Sequence, residues 1–525
     1  MVKESPLTSR QPGRVSGVVS ALTLFAVFAV LSFLKYLSLH SAVFDLGVYL
    51  SNIYAVSQAG EWWRMFNGHI QPLLPLFGGA CDLGPAPAAP FILLGIQAFF
   101  LALPIVWIAP RFGFTATLAY ALYFPVWYLA LFDFHPDFLA APLLFGFFLL
   151  ARAEKIWGAF VLGLALALIK EPYALQTAAC GVYLLCVSRR RLPGMLLVLI
   201  GCASFYAAAR YALPFFTADA GVGLSGGAFS WLGAGPLDMA GHVLSHPLEV
   251  LGKTLGNPQK LKYLACLLGA LAFLPLVRPL ALVTALPWLA LSLLSDSPNY
   301  YGLGNHYSAG VAIPALFAFC LALGPARGAW GRYGLPPALF TLLVTAVLVA
   351  GHVLLSPSPV SRLFWRGDVW SYDLAAYQPT ARDADIITAI HDYVPADPAV
   401  PVAAQNTLNW GALSRRLHYN SFPLGVFKPH KVQVMTLDDL ASFRHFAATG
   451  EKPALRQISW TAAYVLLDLK RPWFLVDQGC DWRGACNDHL AASAFLEAVE
   501  KAKTLYDTVY ERDGFMILRR KGLAP

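Results

Sequence analysis

Residues 15–39 read VSGVVSALTLFAVFAVLSFLKYLSL and run directly into HSAVFDLG at 40–47, so a long apolar stretch is followed at once by a carboxylate, Asp45. About 20 apolar residues suffice to cross a bilayer, which makes the first stretch a membrane span and puts Asp45 at the membrane surface. An acid there is expensive to bury unless it has partners or a task. Lys3, Arg10 and Arg14 ahead of the stretch resemble the start of a signal peptide. No clear small-residue cleavage site follows, and the segment reads as a retained anchor.

The rest of the chain agrees with a membrane setting. Of 525 residues, 57% are hydrophobic and only 13% charged, with a mean hydropathy of +0.56. Further apolar segments lie near 90–109, 114–132, 138–151, 156–169, 173–188, 194–213, 261–277, 280–295, 306–323 and 334–355. With the first they predict about 11 spans, several of them short. The expected fold is thus a polytopic α-helical membrane protein over residues 1–361, followed by a soluble α/β domain over 362–525.

Charge gives an expected orientation. With the N-terminus inside, the cytoplasmic side carries Lys3, Arg10, Arg14, Arg111, Arg152, Lys155, Arg189, Arg190, Arg191, Arg278, Arg327 and Arg332. The other side has fewer basic residues: Lys35, Arg64, Lys170, Arg210, Lys253, Lys260 and Lys262. Of the acids before residue 362, only Glu4 and Glu154 fall inside. An odd number of spans then places the C-terminal domain outside. The net charge of +8 belongs mostly to loops facing anionic lipid, and no basic stripe suited to nucleic acid is visible.

Within 362–525, residues 381–394 have helical spacing, 399–404 and 462–469 read as strands, and 491–503 as a second helix. Residues 504–510 and 515–519 flank Arg512-Asp513-Gly514 as a hairpin. No glycine-rich phosphate loop follows a strand. Cys480 and Cys486 bracket five residues and are expected to close a small disulfide, the alternative being two free thiols. The cysteines at 180, 186, 202, 266 and 320 read as small apolar residues of the spans.

Polar signatures recur at the mouths of the spans. They are Phe44-Asp45-Leu46-Gly47, Gly68-His69, Phe132-Asp133-Phe134-His135-Pro136-Asp137, Lys170-Glu171-Pro172 and Asn305-His306-Tyr307. Each has an ordinary structural explanation on its own, such as an interfacial aromatic or a self-neutralised Lys-Glu pair. If the helices bundle, all of them converge on one side, the arrangement expected of a functional site.

These signatures resemble those of DUF2079, a group of predicted membrane proteins, and Val402–Asn406, Leu413–Arg416 and Tyr464–Asp468 are similar to its C-terminal segment. The group in turn resembles the GT-C superfamily of multi-span glycosyltransferases. That likeness implies a sugar carried on a polyprenyl phosphate, delivered to an envelope glycan, lipid or protein at the outer face of the bacterial inner membrane. It makes Asp45 the base that takes the acceptor's proton. Lys170, Glu171, His69, His306 and Tyr307 would hold the donor phosphate and sugar. Asp133, His135 and Asp137 would hold the acceptor or a divalent metal. Asp45 is followed by Leu46 instead of a second acid, so Mg or Mn is an option and not a requirement. The main alternative is a transporter or flippase of an amphipathic solute, which would show internal repeats or charges at the bilayer midplane, neither of which is evident.

Overall fold

The computed structural model describes residues 11–66, 68–216, 227–366, 372–436, 438–471 and 488–523. It is mostly helical, with a small sheet domain near the C-terminus. Five helical segments are long and apolar enough to cross a bilayer: Arg14–Leu37, Ala89–Phe112, Arg191–Phe216, His306–Arg332 and Pro337–Leu355. A sixth is obtained if Phe114–Leu122 and Phe124–Leu131, which meet at 47°, form one broken span.

The expected count of about 11 is therefore not supported. The other apolar stretches are helical but short. Ala140–Arg152 has 13 residues, Ile156–Leu166 has 11, Pro258–Gly269 has 12 and Leu286–Leu294 has 9. Proline and tight turns break them: Leu274–Val277 and Pro279–Ala285 are 3-10 turns, each with proline in its first turn. The number of spans, five or six, thus does not fix the side on which the C-terminal domain lies.

His306–Arg332 is the central span, with 72% of its apolar window buried, against 22% for Pro337–Leu355 and 28% for Arg191–Phe216. Its buried run is rich in small residues, including Ala309, Gly310, Ala312, Ala315 and Ala318. Without a hydrophobic drive between helices in lipid, close backbone approach is what holds them together. The indole of Trp288 lies across Gly310, where a Cβ would stand only 2.0 Å from Trp288 Cδ1.

The sheet domain has five strands in the order β2-β1-β5-β7-β6. Here β1 is Val402–Ala404, β2 Tyr419–Ser421, β5 Tyr464–Asp468, β6 Tyr506–Arg512 and β7 Phe515–Arg520. β1 runs parallel to both β2 and β5, and β7 is antiparallel to β5 and β6. A separate antiparallel pair joins β3, His430–Gln433, to β4, Gln457–Trp460. The β6–β7 hairpin turns through Asp513 and Gly514, both at positive φ (50° and 79°), the two-residue loop that Asp-Gly favours. Helix Ala381–Tyr393 starts at a Thr380/Asp383 capping box. Phe495, Val499 and Ala502 of helix Asp488–Leu505 cover the sheet face made by Ala403, Val465, Leu467, Met516 and Leu518. Cys480 and Cys486 lie outside the described residues.

The opposite sheet face joins the two parts of the chain. Leu39 and Val43, just beyond the first span, are buried with Ile386, Ile390, Val402, Leu466 and Ile517. The Val43 N–H donates to Asn406 O at 2.7 Å, Ser51 Oγ to Arg416 O at 2.7 Å, and Tyr36 stacks on Trp410 with ring centroids 5.3 Å apart. The first loop and the sheet domain are on the same side of the spans.

Gly47 sits at this junction, where an added Cβ would lie 3.2 Å from both Asn409 Oδ1 and Tyr419 Cε1. Gly47→Val should overpack the contact and destabilise by about 1–3 kcal/mol. A lowered thermal midpoint of the detergent-solubilised protein would show it; an unchanged midpoint would mean that the junction yields freely.

Candidate functional site

The site begins where the first span ends. Residues Val43–Gly47 form a single π-helical turn. Its entry is fixed by the Ala42 N–H, which donates to Asp133 Oδ2 at 2.8 Å. Asp133 in turn faces Lys35, with Nζ 3.5 Å from Oδ1 and both side chains no more than 4% exposed. Lys35 also donates to Leu131 O at 2.8 Å and Phe132 O at 2.5 Å, carbonyls at the end of the bent helix pair. One lysine thus ties the first span, the bent helix pair and the Asp45 turn together.

Asp45 keeps 24% of its side chain exposed, and its Oδ1 lies 3.5 Å from His135 Nε2. Burial and the Asp133 carboxylate push Asp45 up to about 7, against the pull of Lys35. Asp133 is also raised by burial, with Lys35 and the Ala42 N–H working against the shift.

From His135 the polar residues continue inward. The His135 N–H donates to Gln97 Oε1 at 3.0 Å, and Gln97 Nε2 donates to Ala130 O and Asp133 O, so the Asp133–His135 loop is held by one buried glutamine. The imidazoles of His135 and His306 stack with centroids 3.8 Å apart, and Tyr307 lies 4.2 Å from His306. Lys170 is next, over the rings of Tyr307 and Trp288 at 5.6 and 5.5 Å. Its Nζ is 2.8 Å from Asp137 Oδ2, and Tyr173 OH donates to Asp137 Oδ1 at 2.9 Å. His69 Nδ1 meets Glu171 Oε1 at 2.7 Å, while the Ile70 N–H donates to Oε2 at 3.1 Å.

Asp45, His135, His306, Tyr307, Lys170 and Asp137 therefore form one connected row, with His69–Glu171 beside its Lys170 end. Asp133 is turned away from the row toward Lys35. Two sequence-based roles fit poorly. Lys170, 2% exposed and already paired with Asp137, is not a free cation for a phosphate. Asp133, His135 and Asp137 do not converge on a common point, since each carboxylate is taken by its own lysine. Among the described residues no group of three His, Cys, Asp or Glu side chains is placed to hold a metal. These residues do not fit a Mg or Mn centre, which needs several oxygen ligands at once.

Lys35, Gln97 and Tyr173 are not among the site residues expected from sequence. The signal for Lys35 was present: a lysine near the end of an otherwise uncharged apolar run needs a partner.

Next to Glu171 lies a cavity of about 350 Å³, lined largely by apolar residues such as Ile70, Ala174, Ala207, Tyr211 and Phe443. Helix Asp439–Thr449 of the C-terminal part forms one of its walls through Phe443 and Ala447.

Residues 35–366 match the family described as "Predicted membrane protein (DUF2079)". The chain belongs to this family. The match contains Lys35, Asp45 and every other polar residue of the row, and it ends before the sheet domain, so the likeness noted for residues 402–468 lies beyond it. No curated protein and no solved structure matches the chain.

Removing one partner of a buried ion pair leaves the other uncompensated, typically at about 3–5 kcal/mol. Lys170→Met should therefore lower the thermal midpoint sharply, and Lys170→Met/Asp137→Asn should recover most of the loss. If the double variant is no more stable than the single one, the pair does not hold this part of the fold.

Proposed function

We propose that this protein is a membrane glycosyltransferase that moves a sugar from a polyprenyl phosphate to a cell-envelope acceptor at the extracytoplasmic face of the bacterial inner membrane. One observation carries the reading. Of the four carboxylates gathered here, Asp133 is paired with Lys35 and Asp137 with Lys170, and Glu171, 4% exposed, is tied to His69 at 2.7 Å and to the Ile70 N–H, whereas Asp45 has only His135 at 3.5 Å among the described residues and keeps 24% of its side chain exposed. It is partly exposed, and its neighbour is an imidazole. A carboxylate left uncommitted among neutralised ones is suited to accepting a proton.

In the proposed step the acceptor hydroxyl attacks the anomeric carbon, the bond from that carbon to the phosphate oxygen breaks, and the phosphate leaves with the electron pair. The hydroxyl proton passes to Asp45, and the anomeric centre inverts. His306 Nδ1 is buried without a hydrogen-bond partner among the described residues, which makes it a donor for the departing oxygen in place of the committed Lys170. The apolar cavity beside Glu171 suits a substrate with a hydrocarbon chain.

The proposed orientation puts the N-terminus inside and the sheet domain outside. The Lys and Arg bias supports it, and the shared burial of Leu39 and Val43 with the sheet places loop and domain together whatever the number of spans. A cysteine placed at Leu424, which is 38% exposed, should react with a membrane-impermeant maleimide on intact spheroplasts. Reaction only after the membrane is opened would reverse the orientation.

The chemical test is release of polyprenyl phosphate from lipid-linked sugars by the purified protein. Asp45→Asn keeps the shape but not the basicity, and should reduce turnover about 10²- to 10⁴-fold while leaving the protein folded. Because the active form is the carboxylate, the wild-type rate should fall about tenfold per unit as pH drops below about 7. Full transfer by Asp45→Asn would remove Asp45 from the mechanism, and failure to turn over any lipid-linked sugar would remove the glycosyltransferase reading.

A further inference from the structure

Helices Pro236–Ser245 and Pro247–Leu255 adjoin at His246 and carry apolar side chains that nothing among the described residues covers. Leu237, Leu244, Leu248, Leu251 and Leu255 are 69, 81, 82, 52 and 48% exposed. Within each helix their spacing puts them on one face, Leu237 with Leu244 in the first and Leu248 with Leu251 and Leu255 in the second. The first helix buries no residue at all. Asp238, His242, His246, Glu249 and Lys253 supply polar groups with little net charge, so an electrostatic partner is not indicated.

The other side of the pair is firmly attached to the molecule. Lys253 lies 3.9 Å over the Trp231 ring and 3.3 Å from Asp296 Oδ2. Trp231 Nε1 donates to Leu294 O at 2.9 Å, and the Asp296 N–H to Ala228 O at 2.8 Å. The same segment leads to the candidate site: Phe229 packs on Tyr300, Tyr300 stacks on Tyr307 at 4.7 Å, and Tyr307 adjoins His306. In sequence the pair stands between the span Arg191–Phe216, which is only 28% buried and has Leu192, Met195 and Leu199 facing outward, and helix Pro258–Gly269. The pair thus follows a lipid-facing span of a multi-pass membrane protein in the chain.

We infer that residues 236–255 are an interfacial membrane anchor whose leucine face enters the headgroup–acyl boundary of the bilayer and whose polar face holds the Trp231–Asp296–Tyr300 wall of the candidate site. Such helices insert by apolar area, about 5–10 Å into that boundary, and need no net positive charge when the area is large. The partner is the phospholipid surface itself. Fixed there, the pair holds the His306–Tyr307 wall level with the membrane surface. The anchor stands whether or not the site transfers sugars.

The test uses the full chain in nanodiscs, with exposed Cys186 and Cys202 replaced by Ser and the residual signal of that parent subtracted. Fluorophores are placed through Leu244→Cys and Leu248→Cys, with Glu249→Cys, whose side chain is 58% exposed, as the polar-face control. Phosphatidylcholine brominated near the top of its acyl chains should quench both leucine-site labels by about twofold or more, as expected for shallow insertion. Lipid brominated near the chain ends and aqueous iodide should quench them far less, and the control should show the reverse preference for iodide. Quenching of the leucine-site labels by iodide would place the face in water, and quenching by neither agent would mean that a second copy or another protein covers it. Either result overturns the anchor.

Discussion

A lysine that enters an apolar span must find a carboxylate, and the fold around this site follows from that requirement at Lys35. Its ammonium group reaches Asp133 and two carbonyls at the end of the broken span. Asp133 uses its second oxygen to accept the Ala42 N–H. The turn that carries Asp45 is thereby set by a buried pair on its far side. A pair this deep gains little net stability over apolar packing, because desolvation offsets most of the Coulomb attraction. Its value lies in geometry: only one arrangement of the first span, the broken span and the turn satisfies all of these groups together.

The same turn is gripped from the other side by the sheet domain. Leu39 and Val43 are part of that domain's core, and Asn409 Nδ2 donates to Ala42 O at 3.2 Å. Ala42 is therefore fixed at both its N–H and its carbonyl, by groups far apart in the chain. The C-terminal domain is a structural part of the Asp45 turn, and local unfolding of the sheet would release the turn as well.

Much of this was legible in sequence. The first span with Asp45 just beyond it, the Arg512-Asp513-Gly514 hairpin and helix 381–394 all rest on local rules: apolar length, a turn needing two positive φ values, and helical spacing. The span count was not legible, because an apolar run of about 14–16 residues looks alike whether it crosses lipid or lies broken among other helices, as Pro279–Ala285 and Leu286–Leu294 do. The pairing of charges was not legible either. Spacing brings Asp133, His135 and Asp137 into one loop, but Asp133 precedes and Asp137 lies within the 3-10 turn Pro136–Leu139, and their division between Lys35 and Lys170 depends on helices from other regions.

This division of charge decides what the row can do. Had Lys170 been unpaired, it would be the natural seat for a phosphate; paired with Asp137 and shielded by Trp288 and Tyr307, it acts as a fixed positive support beneath the two stacked imidazoles. Had Asp45 faced a lysine of its own, its carboxylate would be stabilised as an ion and would be a poor base. It faces His135 instead, with burial and Asp133 both raising its proton affinity. Pairing two acids with lysines and tying Glu171 to His69 and the Ile70 N–H leaves Asp45 the most exposed and least committed of the four carboxylates. Any chemistry assigned to this protein has to account for that open carboxylate.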